Sequence, residues 1–392
     1  MPFRIECGPE RLVLTDGLQP FGFRTASGKI IVQAQTTFPV GYRQPERNRW
    51  PGMIATVVSK DDGRSWALWH PKPEQGLGPV TEGAATPLSD GTFLMLNWVA
   101  EFTAPGAPWA GKRWLSRDDF ATVEGPLDME VEIPQAKIGF DDGGAPYGAV
   151  TFHRTVMEIP GGDLLAAAYC WFEGDDTPST YQPNMCKMRS VLLRSADRGR
   201  HWRYVSTIAV DPTVGQEGFD EPVMVRLARG PRAGRLICLM RTGNDDSPLY
   251  QAHSDDEGRT WSSPRRLHLI GVDPDLKALS DGTLVCSMGR RIFTNSGQRH
   301  HEKGYHLAFS TDQGDTWSPM LQTPPMEAYS MTVAGRRPEE PSGLLKPGDR
   351  VWTDYSTVLE IAPDSLLLLY DVGMWGLTIR YIASRTIRVF RS

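Results

Sequence analysis

Ser254-Asp255-Asp256-Glu257-Gly258-Arg259-Thr260-Trp261 is one of four stretches that share the pattern Ser-x-Asp-x-Gly-x-x-Trp. The others are Ser59-Lys60-Asp61-Asp62-Gly63-Arg64-Ser65-Trp66, Ser195-Ala196-Asp197-Arg198-Gly199-Arg200-His201-Trp202 and Ser310-Thr311-Asp312-Gln313-Gly314-Asp315-Thr316-Trp317. Ser116-Arg117-Asp118-Asp119-Phe120 is a worn fifth copy. A carboxylate two residues after the serine can accept backbone N–H groups inside a tight turn, and the glycine supplies a positive φ. Each copy follows an extended apolar stretch such as Ile54-Ala55-Thr56-Val57-Val58, so each predicts a hairpin turn between two strands. The role of these turns is structural.

A second repeat lies between the first. It is an apolar strand, a turn at glycine, and another apolar strand, as in Leu276–Leu279, Asp281-Gly282, Leu284–Met288. Further copies turn at Gly28, Gly91, Gly161-Gly162 and Gly234, and the last turns at Asp364-Ser365. No helical period of useful length interrupts them. Six four-stranded units at a near-constant period predict an all-β chain, a six-bladed β-propeller, as one domain over residues 1–392. The last unit is short of a strand, and the N-terminal segment Arg4–Leu14 is expected to complete it and remove an open edge.

Composition fits this picture and excludes others. The chain has 392 residues, 40% of them hydrophobic, with 42 Lys and Arg against 47 Asp and Glu. A net charge of −5 gives no basic footprint for nucleic acid. No apolar run reaches the length of a membrane span. Met1–Cys7 lacks the apolar core of a signal peptide, which points to a cytoplasmic protein. Five widely spaced cysteines without a C-x-x-C suggest free thiols in a reducing compartment. No metal and no cofactor is expected: His300-His301-Glu302 matches no ligand spacing, and no Gly-rich phosphate loop is present.

The repeat also locates a site. Counting nine residues back from each turn reaches the start of the innermost strands, at Gln19, Glu82, His153, Glu221, Asp273 and Tyr355. Counting forward reaches the ends of the second strands on the same face, at Ala34, Trp98, Tyr169, Arg241, Arg290 and Asp371. Inner strands are ordinarily apolar. Polar and ionisable residues at one repeated position are what a central ligand pocket needs.

These turns on such units resemble the Asp-box (BNR) repeats of the sialidase superfamily. The resemblance implies a six-bladed propeller, a carbohydrate substrate, and a Tyr nucleophile assisted by a Glu. It also implies an Asp general acid and three Arg that clamp a sugar carboxylate. Tyr355-Ser356 stands where that family's nucleophile opens the last blade. Asp220-Glu221-Pro222, ahead of Leu239-Met240-Arg241, stands where its Glu and second Arg lie. Other positions depart from the pattern. Leu18-Gln19-Pro20, with Arg24 beyond it, replaces the first Arg motif. His300-His301-Glu302-Lys303 occupies the slot of the third Arg, which Arg290 or Arg291 could fill from the neighbouring strand end. Tyr42–Trp50 contains no Asp, leaving Glu46, Glu82, His153 or Asp273 as the acid.

The resulting expectation is a sialidase-like glycoside hydrolase for a terminal, acidic sugar. Tyr355 and Glu221 are its catalytic pair; Arg241, Arg290, Glu82, His153, Asp273, Tyr169 and Asp371 are its substrate-binding residues. Two other outcomes stay open: a non-catalytic glycan-binding propeller, and a polysaccharide lyase in which Tyr355 and His153 act on a uronic acid.

Overall fold

The structure is a computed structural model. It describes residues 3–14, 17–36, 53–69, 82–140, 146–180, 184–244, 246–290, 302–324, 351–352, 355–374 and 380–391. The described residues are all-β, with no α-helix and no helix long and apolar enough to cross a membrane.

In chain order the longer strands fall into six antiparallel units, of which the second and third are hydrogen-bonded into one ten-stranded sheet through Val99–Glu101. Unit one is Leu18–Arg24, Ile30–Thr36, Met53–Ser59 and Ala67–Leu68. Unit two is Glu82–Pro87, Phe93–Asn97, Trp109–Ser116 and Glu124–Glu132. Unit three is Ala149–Glu158, Leu164–Phe172, Arg189–Ser195 and His201–Ala209. Unit four is Asp220–Arg226, Leu236–Arg241, Pro248–Ser254 and Arg265–Ile270. Unit five is Val272–Ala278, Leu284–Arg290, Gly304–Ser310 and Leu321–Gln322. Unit six is Ser356–Ala362, Ser365–Met374 and Arg380–Arg391. Its last strand also pairs antiparallel with Phe3–Cys7 and with Arg11–Leu14.

Each unit buries its faces against its two neighbours. Phe21, Phe93 and Trp114 lie between units one and two, and Leu96, Val150 and Phe152 between two and three. Leu165, Phe219 and Met224 join three to four; Val223 and Leu276 join four to five. Val285, Leu307 and Leu368 join five to six. Ile30 and Val32 meet Leu367 and Leu369, which joins unit six back to unit one. Each such aliphatic side chain contributes roughly 1.5–3 kcal/mol of transfer free energy.

The Ser-x-Asp-x-Gly turns connect third strands to fourth strands. At Ser59, the hydroxyl accepts the Gly63 N–H at 2.8 Å and donates to Asp61 Oδ1 at 2.8 Å. Asp61 then accepts the Ser65 N–H at 2.9 Å and the Ser65 hydroxyl at 2.6 Å. The Ser254, Ser195 and Ser310 copies repeat the serine–aspartate–glycine bonds. The worn copy does the same with Phe120 in the glycine place, its N–H donating to Ser116 at 2.8 Å and its φ at 63°. Antiparallel order puts these turns at the end of the units opposite the starts of the inner strands.

The turns also reach sideways into the preceding unit. A side chain on Gly63 would collide with Leu367 of unit six at 2.8 Å, and one on Gly258 with Leu192 of unit three at 2.0 Å. Trp261 donates to Ser206 of unit three at 3.0 Å, and Trp317 to Gln251 of unit four at 2.9 Å. The five cysteines are unbridged.

Candidate functional site

In three inner strands the second residue precedes a proline: Gln19-Pro20, Glu221-Pro222 and Asp273-Pro274. Proline offers no N–H to the ladder, and the ladder breaks there in all three strands. The preceding residues take φ values of 54°, 41° and 49°. This is a left-handed conformation that side chains adopt at a cost of order 1–3 kcal/mol, and one that gathers at functional sites. In unit three the ladder breaks between Phe152 and Val156 without a proline, and the left-handed residue is Arg154, with φ 49°.

These breaks bring the inner-strand starts together. Glu221 Oε1 accepts a hydrogen bond from Arg241 Nη1 at 2.6 Å, and its Oε2 accepts the backbone N–H of Asp273 at 2.6 Å. Asp273 accepts from Arg154 Nε at 3.2 Å and Nη2 at 2.5 Å, and it bonds His153 Nε2 at 3.1 Å. Burial pushes the Asp273 carboxyl up, and Arg154 and His153 pull it back. His153 Nδ1 is buried without a hydrogen-bond partner among the described residues.

Around Arg241 stands a second acidic group. Its Nη2 donates to Glu217 at 3.2 Å and to Asn244 at 3.1 Å, and its Nε to the Gly243 carbonyl at 3.2 Å. Asp220, only 3% exposed, is held well above the usual carboxylate range by burial and by the neighbouring Glu217 charge. Burial, with Tyr147, Glu221 and Asp220 nearby, likewise pushes the Tyr169 hydroxyl well above its ordinary range.

His153, Glu221 and Asp273 each offer a ligand atom within 4.8 Å of the others, a spacing that could hold a metal ion. The positive charge is already supplied: Arg154 takes both Asp273 oxygens and Arg241 takes Glu221. A cation there would share both carboxylates with guanidinium groups.

The structure therefore joins Glu221, Arg241, Asp273 and His153 directly and sets Tyr169 within electrostatic reach. Tyr355 enters through its backbone. Its N–H donates to Asp371 Oδ1 at 3.2 Å, and its side chain is half-buried. Asp371 is tied to its neighbours through its carboxylate. It is 1% exposed, and it also accepts the Tyr305 hydroxyl at 2.6 Å and the Gln19 N–H at 3.5 Å, so it braces strand starts. Arg290 turns to Glu302 at 2.7 Å and Asp246 at 3.2 Å. The side chain of Glu82 and residues Glu46, Arg291, His300 and His301 lie outside the described residues. Arg154, Glu217 and Asn244 are the members that counting along the repeat passes over.

Residues 177–334 match the BNR repeat-like domain family. That match covers the middle of the chain and agrees with the resemblance of its Ser-x-Asp-x-Gly turns to BNR repeats. Among curated proteins none matches the sequence significantly. A protein of unknown function from Dyadobacter fermentans superposes with a TM-score of 0.66 at 18% identity, over 98% of this chain and 99% of that one. An α-L-arabinofuranosidase from Fusarium graminearum superposes with a TM-score of 0.59 at 14% identity, over 97% and 98%. The NanB sialidase from Streptococcus pneumoniae does so with a TM-score of 0.56 at 10% identity, over 100% of this chain and 71% of that one. Identities this low speak for the fold.

Proposed function

We propose that the six units are the blades of one propeller, and that the chain hydrolyses a terminal glycosidic bond where the inner strands begin. The observation that carries this proposal is the suspension of Glu221 between Arg241 and the Asp273 amide, in a left-handed backbone, beside an Asp273–His153 pair. Glu221 takes the proton of the Tyr355 hydroxyl as the phenolic oxygen attacks the anomeric carbon. A Tyr, with its ordinary pKa near 10, needs such a base. His153, held by Asp273, gives a proton to the departing oxygen.

One observation favours a second assignment of the sugar. Arg241 and Arg290 already hold Glu221, Glu217, Asn244, Glu302 and Asp246. A sugar carboxylate would compete with those carboxylates, so this occupancy supports a neutral sugar over an acidic one. On a neutral sugar Glu221 itself can attack, because no substrate carboxylate repels it.

The test is hydrolysis of a nitrophenyl sialoside and a nitrophenyl α-L-arabinofuranoside by wild type, Glu221→Gln and Tyr355→Phe. Turnover lost in both variants supports the Tyr–Glu pair. Turnover of the arabinofuranoside kept in Tyr355→Phe supports direct attack by Glu221. Binding without turnover supports a glycan-binding propeller, and a new unsaturated product from a uronide supports a lyase.

A further inference from the structure

Arg154 sits one residue beyond His153, is 8% exposed, and carries a left-handed φ of 49° inside a strand. Its guanidinium leaves unit three and reaches three others. Nε and Nη2 grip both oxygens of Asp273 in unit five, at 3.2 Å and 2.5 Å. Nη1 donates to the Ser356 carbonyl in unit six at 2.7 Å. Nη2 also donates to the Pro20 carbonyl in unit one at 3.3 Å. The neighbouring residue continues the pattern, since Thr155 Oγ1 accepts the Met224 N–H of unit four at 2.9 Å.

Two of these contacts lead to the proposed catalytic pair. Ser356 directly follows Tyr355. Asp273 is the residue whose backbone N–H holds Glu221. One planar group therefore grips the main chain next to the tyrosine and the side chain of the residue that orients the glutamate. A guanidinium fixes direction as well as charge, because its donors lie in a rigid fork; an ammonium is a point charge on a flexible stem. Buried as it is, it is also shielded from the water that would otherwise weaken these bonds.

We propose that Arg154 is a positioning residue that sets the relation of Tyr355 to Glu221 across the axis, touching neither side chain itself. Neutralising Asp273 alone would not need contacts to units one and six. The two carbonyl contacts tie the charge pair to the strand that Tyr355 opens. Misplacing a reacting group by about 1 Å costs on the order of 100-fold in rate. The kinetic half of the test rests on the glycoside-hydrolase reading; the spectroscopic half does not.

The experiment uses wild type, Arg154→Lys and Arg154→Met, all with ¹³Cζ-labelled tyrosine, the Tyr355 resonance being assigned by its loss in Tyr355→Phe. In Arg154→Lys, which keeps the charge, kcat is expected to fall about 100-fold. KM is expected to stay within about threefold of wild type, the signature of lost transition-state stabilisation. The Tyr355 resonance and its pH titration are expected to move in every folded Arg154 variant. An Arg154→Lys enzyme with wild-type kcat, or with a loss in KM alone, overturns the proposal. So does an unmoved Tyr355 resonance in a folded variant. If wild type hydrolyses no glycoside, the functional reading falls, and the resonance alone decides the positioning claim in either direction. If Arg154→Met does not fold, Arg154→Lys carries the test.

Discussion

Glu221 and Asp273 hold matching places at the starts of consecutive inner strands, and the carboxylate of the first accepts the backbone N–H of the second at 2.6 Å. A side chain in one unit thus fixes the main chain of the next, at the residue where that chain takes a left-handed turn. The same carboxylate is held from its own unit by Arg241. The geometry of the site and the joint between two units are one set of bonds.

Glu221→Gln keeps the shape of that joint and removes the charge. Turnover is expected to fall by about 10²–10⁴, the contribution of a positioned base. Stability is expected to fall by about 1–3 kcal/mol, because one buried partner loses a charge-assisted bond. Steady-state kinetics with thermal melts separate the two effects; a variant with unchanged kcat and a lowered melting point would make the residue a joint only.

His153→Asn tests the proton donor. A nitrophenolate departs without help, so the variant is expected to keep most activity on nitrophenyl glycosides. On an oligosaccharide, whose leaving alkoxide needs a proton, it is expected to lose about 10²–10⁴. Equal losses on both substrates would assign His153 to structure.

The turn aspartates set an acid limit on stability. In the fold Asp61 is lowered to about 2 by the Ser65 hydroxyl, the Ser65 N–H and Ser59. Asp256 is lowered to about 2 by the Thr260 N–H, the Thr260 hydroxyl and Ser254. Unfolded, each titrates near 3.9. Their contribution is therefore complete above about pH 4 and fades as pH falls toward 2. Asp256→Ala is expected to melt earlier at pH 7 and to lose less on acidification than wild type across that window. Its turnover is expected to be unchanged, because the turn lies at the far end of the units from Glu221. Melting curves at pH 7, 4 and 2 check the sign.

Phe120→Gly sets two effects against each other. Glycine relieves a left-handed φ of 63°, a gain of roughly 1 kcal/mol. The lost ring, 2% exposed, packs on Phe23 at 5.8 Å and Trp69 at 5.2 Å between ring centres. Losing a buried Phe costs about 3–5 kcal/mol. The packing term is larger, so the variant is expected to be destabilised by about 2–4 kcal/mol in denaturant titration, even though it restores the repeat pattern.

The turns were legible in the sequence because their chemistry is local: Ser59, Asp61 and Gly63 bond to one another within a few residues. Phe120 shows the limit of the pattern, since packing against unit one holds it where glycine would be chosen. Glu221, Asp273 and Arg241 could be placed together because each sits at a repeated distance from a turn. Arg154 could not, because the break between Phe152 and Val156 moves the inward residue by one without a proline to signal it. The occupancy of Arg241 and Arg290 was equally hidden, since Glu217, Asp246 and Glu302 approach from connecting loops rather than repeated positions.

The sideways reach of the turns gives synthesis an order. As the chain leaves the ribosome, the turn at Gly258 meets a unit that already exists, since Leu192 precedes it; Gly314 likewise follows Ile237. Gly63 is the exception, because its partner Leu367 follows it by 304 residues. Phe3–Cys7 waits in the same way for Arg380–Arg391. Nascent units one to five can dock in sequence as they emerge, while the second face of unit one waits for unit six. A stop codon ahead of unit six therefore damages unit one.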